Sequence, residues 1–112
     1  MNIGFLLSHK FNEFDGGVQK VTTLLTKNFK EKGINVYFFI VNGKPTDKSD
    51  KEYFYLPSKQ LNTIENIQFV VNICVDLKIR ILINQLGLNT KYVDFIYKSC
   101  NYDDCNITSI NC

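Results

Sequence analysis

A chain of 112 residues holds one domain with a single core and little to spare. Its content of 45% hydrophobic and 21% charged residues excludes a disordered chain. A net charge of +2, with lysines and acids interleaved, speaks against a dedicated nucleic-acid binder, so no nucleic acid is expected as partner.

No apolar run reaches the roughly 18 residues that span a bilayer. The opening Met1-Asn2 leads straight into Ile3–Leu7, without the basic start, long apolar stretch and cleavage site of a secretory signal. A cytoplasmic protein is expected, and its weak positive charge is compatible with peripheral contact at the cytoplasmic membrane face.

Ile3-Gly4-Phe5-Leu6-Leu7 is apolar on both faces, as in a strand buried within a parallel sheet. The polar segment Ser8–Gly17 reads as a loop. A helix follows with Val18, Val21, Leu24, Leu25 and Phe29 at helical spacing, their stripe opposed by lysines. Gly33 is its natural stop, and Lys30 and Lys32 suit the dipole at its end.

Ile34–Val41 forms a second strand, and the hydrophilic 44–51 segment a loop. Glu52–Leu56 is a third strand, closed by Pro57. Asn62 with Glu65 resembles a capping box, opening a helix whose stripe is Ile64, Ile67, Val70, Val71 and Cys74. Ile79–Ile83 is a fourth strand. Asn89 or Thr90 caps a third helix with stripe Val93, Ile96, Tyr97 and Cys100, and Asn106–Ile110 is a fifth strand.

The order β-α-β-β-α-β-α-β with right-handed crossovers predicts an α/β fold. It is a Rossmann-like, doubly wound parallel sheet in a three-layer αβα sandwich, with five strands in order 3-2-1-4-5 and three helices.

Cys74, Cys100, Cys105 and Cys112 include no C-x-x-C pair, and His9, the lone histidine, is distant in sequence. Reduced structural thiols are expected rather than a metal or disulfide framework. The absence of alanine beside abundant lysine, asparagine and isoleucine reflects an AT-rich coding genome.

In such a sheet a ligand sits at the carboxyl ends of the strands, beside the point where strand order reverses. Two segments converge there: the loop from Ser8 to Gly17, and Asn84-Gln85-Leu86-Gly87. Gly16 and Gly17 stand where the first helix begins. Their backbone freedom, free N–H groups and the helix dipole suit a phosphate. Equally, the pair is a flexible turn with Asp15 capping the helix.

His9 is either a general base or ligand contact, or a solvated loop side chain. There is no G-x-G-x-x-G and no acid after the second strand, which argues against a dinucleotide site. The P-loop pattern is also missing, and so are the acids of a phospho-acceptor receiver. No catalytic residue or metal ligand is assigned.

The segments Ile3–Leu7, Asp15-Gly16-Gly17-Val18-Gln19-Lys20-Val21, Leu24-Leu25 and Lys32-Gly33-Ile34-Asn35-Val36 together resemble the opening of family-four retaining glycosyltransferases. These have the two-domain GT-B architecture. The likeness is specific over about a third of the chain and matches the remainder in layout.

The resemblance implies the acceptor-side, amino-terminal domain of an enzyme that moves a sugar from a UDP- or GDP-sugar donor to a glycan or lipid-linked acceptor. Gly16 and Gly17 would be the loop facing the donor diphosphate, and Asn84 with Gln85 would lie near the cleft floor; His9, which has no assigned counterpart in the family, and Asp15 are cleft-lining candidates by their place in the first loop. The E-x7-E-type motif of the family lies in a carboxyl-terminal donor-binding domain, which this chain would need as its partner. The chain alone is then expected to be inactive. Two other readings stand beside it: a free-standing binding module that works with a separate donor-binding subunit, and an unrelated α/β domain that binds a phosphorylated ligand at Gly16-Gly17.

Overall fold

The computed structural model describes residues 1–10, 17–43 and 51–111. They form β1 (Asn2–Leu7), α1 (Gly17–Glu31), β2 (Asn35–Ile40), β3 (Tyr53–Tyr55), α2 (Ile64–Asp76), β4 (Ile79–Asn84), α3 (Thr90–Cys100) and β5 (Thr108–Asn111). A 3-10 turn at Tyr102–Asp104 precedes β5. The five strands make one sheet in the order β3-β2-β1-β4-β5, and every neighbouring pair is parallel. The expected Rossmann-like α/β fold is therefore the fold observed.

Alternation along the central strands divides the core in two. Ile3, Phe5, Leu7, Val36, Phe38 and Ile40 face α1, with Leu25 and Phe29 packed against them. On the other side Leu6, Phe39 and Leu82 meet Ile67, Val70 and Cys74 of α2 and Phe95 and Ile96 of α3. Aromatic rings bridge the strands on the α1 side, with Phe5 stacked on Phe38 at 5.9 Å and Phe38 on Tyr53 at 4.8 Å. Gly4 makes room on the opposite side. A Cβ there would stand 3.0 Å from both Leu82 and the Phe39 ring, so those side chains would have to shift to admit it.

The helix ends follow local chemistry. Gly33, at φ +79°, ends α1 in a Schellman turn: its N–H donates to the Lys30 carbonyl and that of Ile34 to the Phe29 carbonyl. The first cap of α2 is Thr63 rather than Asn62, because its hydroxyl accepts from the N–H of Asn66. Asn62 instead donates to the Lys91 carbonyl and ties the starts of α2 and α3 together. Asn89, not Thr90, caps α3.

Three apolar stripes need correction. In α1, Val21 and Leu24 are exposed while Thr22 and Thr26 are buried; the side chain of Val18 lies outside the described residues. Large rings from Phe5 and Phe38 already fill the space above the sheet, so the helix approaches through small threonines. In α3, Tyr97 points outward and the inner face is Phe95, Ile96 and Ser99. In α2, Ile64 is exposed, whereas Ile67, Val70, Val71 and Cys74 are buried as expected. Among the described residues no helix is long and apolar enough to cross a membrane.

Candidate functional site

Strand order reverses between β1 and β4, and their carboxyl ends open the crevice in which an open α/β sheet holds its ligand. The ladder continues past the strands on this side. Gln85 donates its backbone N–H to the Leu6 carbonyl at 3.0 Å, Val41 to that of Leu7 at 2.9 Å and Asn42 to that of Ser8 at 2.8 Å. These bonds hold Ser8, Asn42 and Gln85 side by side above the ends of β1, β2 and β4.

A polar chain runs across the first two of these positions. The Asn42 amide donates to the Ser8 hydroxyl at 3.2 Å, and Ser8 Oγ lies 3.0 Å from His9 Nδ1. His9 itself is exposed. It stands at the tip of β1 as expected, with its ring oriented by Ser8.

Asn84 and Gln85 are adjacent in sequence but stand in opposite circumstances. Asn84 is fully buried. Its amide donates to the carbonyl of Gly87 and to Oδ1 of Asn111, both at 2.9 Å, and its oxygen accepts the Leu86 N–H at 2.8 Å. Both amide protons are consumed, so Asn84 shapes the crevice rather than contacting a ligand in it. It joins β4 to β5 and bends the 84–87 loop, helped by Gly87 at φ +111°.

Gln85 continues the alternation of β4 and falls on the side of Ile83, the α1 side. Its Nε2 is buried and has no hydrogen-bond partner among the described residues. A buried amide nitrogen left unpaired costs about 1–3 kcal/mol, and a group of this kind at a strand tip is suited to an oxygen atom arriving from outside.

The remaining site candidates fall at the limits of the description. Asp15 and Gly16 lie outside the described residues. Gly17 is the first residue of α1.

Two features were not foreseen from sequence. The first is Asn66, in the first turn of α2. Its side chain accepts the Ser58 N–H at 2.9 Å and donates to the carbonyls of Ser58, Gln60 and Leu61 at 3.1, 2.9 and 3.2 Å. The signal was an asparagine at the same helical spacing as the buried Ile67 and Val70 stripe. The second is the gathering of cysteines from α2, α3 and the segment after it. Burial first, then the neighbouring Cys100 and Cys105, pushes the Cys74 thiol up to about 12. Burial and the Cys105 thiol push Cys100 up to about 11, partly offset by a hydrogen bond with Ser109. Cys74, Cys100 and Cys105 are all free thiols, while Cys112 lies outside the described residues. Such raised values keep the Cys74 and Cys100 sulfurs protonated and poorly nucleophilic.

No family model matches the chain, and no curated protein matches it by sequence.

Proposed function

We propose that this chain is the acceptor-side domain of a retaining glycosyltransferase, acting with a donor-binding domain that presents a UDP- or GDP-sugar across a shared cleft. The observation that supports this best is the buried Gln85 amide at the strand-order reversal, which has no hydrogen-bond partner among the described residues; α1 opens at Gly17, in the segment on which the resemblance rests. The amide carries two protons and needs an acceptor. Diphosphate oxygens and sugar hydroxyls both provide one.

In this proposal the chain's residues bind and orient. Gln85 donates to the ligand, the Ser8–His9–Asn42 chain borders it, and Asn84 keeps the loop in place. The sugar leaves its nucleoside diphosphate and joins an acceptor oxygen with its anomeric configuration retained. The negative charge released on the diphosphate is met by N–H donors at the start of α1. A glycan or lipid-linked acceptor, and a peripheral position at the cytoplasmic membrane face, complete the proposal.

Titration of isotope-labelled protein with UDP-glucose and GDP-mannose, followed by NMR, tests this reading. The Gln85 side-chain NH₂ and the amides of Ser8, His9 and Gly17 are expected to shift with an affinity on the order of 1 mM, since half of the donor contacts come from the other domain. Gln85→Leu should abolish the response while leaving the protein folded. If these signals stay still up to about 10 mM of either nucleotide sugar, a regime in which even binding of a few kcal/mol is visible, the reading fails.

A further inference from the structure

A second concavity lies at the same end of the sheet, next to the β1–β4 crevice, with Asn42 at the border of both. It is a cavity of about 500 Å³ between the carboxyl ends of β2 and β3, within the size range of small-molecule sites. We propose that it binds a planar ring joined to an anionic group, of the kind a nucleoside monophosphate presents. The proposal does not rest on the glycosyltransferase reading.

The walls supply the ring's half of this recognition. Val41, Leu56 and Pro57 give an apolar surface, and Tyr55 adds an aromatic one. Tyr55 packs one side against the core that faces α1, so its ring is held by that contact. Gly43 leaves the ring edge uncovered. A Cβ at that position would sit 3.6 Å from Tyr55 Cε1, and φ +126° disfavours any side chain there. A planar ligand therefore finds an aromatic contact that needs no rearrangement.

The rim supplies the anion's half. Lys59 is exposed on the rim and makes no ion pair with a described residue. No acid among the described residues lines the cavity, so the charge that these residues bring to it is positive.

The far wall is preformed. Segment 58–61 is fixed from behind by the four side-chain hydrogen bonds of buried Asn66. These use the N–H and carbonyl of Ser58, which lines the cavity. A fixed wall lowers the ordering cost of binding.

The test is a parallel NMR titration of the whole chain with adenosine monophosphate, adenosine and inorganic phosphate. Adenosine monophosphate is expected to shift the amides of Gly43, Tyr55, Ser58 and Lys59 saturably. Adenosine should do so several-fold more weakly, and phosphate alone should leave Tyr55 unmoved. Lys59→Ala, a change at an exposed position, should lower the monophosphate affinity to that of adenosine, and raised salt should do the same. Tyr55→Leu should weaken both nucleosides equally.

Three results would each overturn the proposal: no saturable shift around the cavity, equal binding of adenosine and its monophosphate, or shifts confined to Gln85 and the start of α1. The last would place nucleotide binding in the β1–β4 crevice, so failure here is distinguishable from failure of the glycosyltransferase reading.

Discussion

Asn66 and Thr26 show how differently a buried polar side chain can sit. Asn66 is enclosed and fully engaged, and it holds the segment between β3 and α2. Asn66→Ala strips partners from one N–H and three carbonyls together. It is expected to destabilise the fold by about 2–4 kcal/mol, read as a lower denaturant midpoint. Thr26 is also buried, but its hydroxyl oxygen has no partner among the described residues. Thr26→Val exchanges that hydroxyl for a methyl group of similar size and should stabilise by about 1 kcal/mol, seen as a raised Tm. Residue type alone places both side chains at the surface, because threonine and asparagine are mostly exposed. Only the packing shows that both are inside, and only the hydrogen bonds separate them.

Helix α1 makes the same point for a whole element. Its length and stop are legible from Gly33 and the apolar spacing, but its rotation is not. Spacing counts apolar residues and cannot weigh the bulk of the surface beneath them, which here admits Thr22 and Thr26 and turns Val21 and Leu24 out. Helix α3 is secured at its end by Cys105, whose thiol lies 3.3 and 3.2 Å from the carbonyls of Ser99 and Cys100 and donates to carbonyls the helix leaves open.

The same cluster sets a pH limit. Cys74 and Cys100 ionise at about 12 and about 11 in the fold against 9.0 ordinarily. The unfolded chain therefore loses these protons first as pH rises. Their contribution to stability is complete below about pH 9 and declines between about pH 9 and 12. Denaturation midpoints should fall across that window, and the slope should be shallower in Cys74→Ala.

At the scale of the molecule the two faces of the sheet are unequally covered. Helices α2 and α3 share one face and α1 lies on the other, over β1 and β2. The register pairs Ile83 with Ile110, which places Ile110 on the α1 side, where it is 44% exposed. A parallel sheet ordinarily has both faces buried, so this corner leaves an apolar side chain open to contact among the described residues. Ile110→Lys should reduce concentration-dependent association in sedimentation while changing stability by no more than about 0.5 kcal/mol, as is usual for exposed positions. An unchanged association profile would show that contact arises elsewhere.

The sequence by itself determined the element order, the parallel sheet and its 3-2-1-4-5 arrangement, because apolar runs, turn residues and the handedness of crossovers act locally or through general rules. It also marked the crevice, since strand order implies where the sheet reverses. The tertiary structure decided which of two neighbouring polar residues at that crevice is free. Asn84 meets Asn111 from the adjacent strand and is spent, while the Gln85 amide nitrogen finds no partner among the described residues. It likewise decided that Tyr55, Gly43 and Lys59 line one cavity, and that Cys100 and Cys105 add to the effect of burial on the Cys74 thiol. Each of these depends on contacts between residues far apart in the chain, where spacing carries no information and burial sets the energy of every polar group.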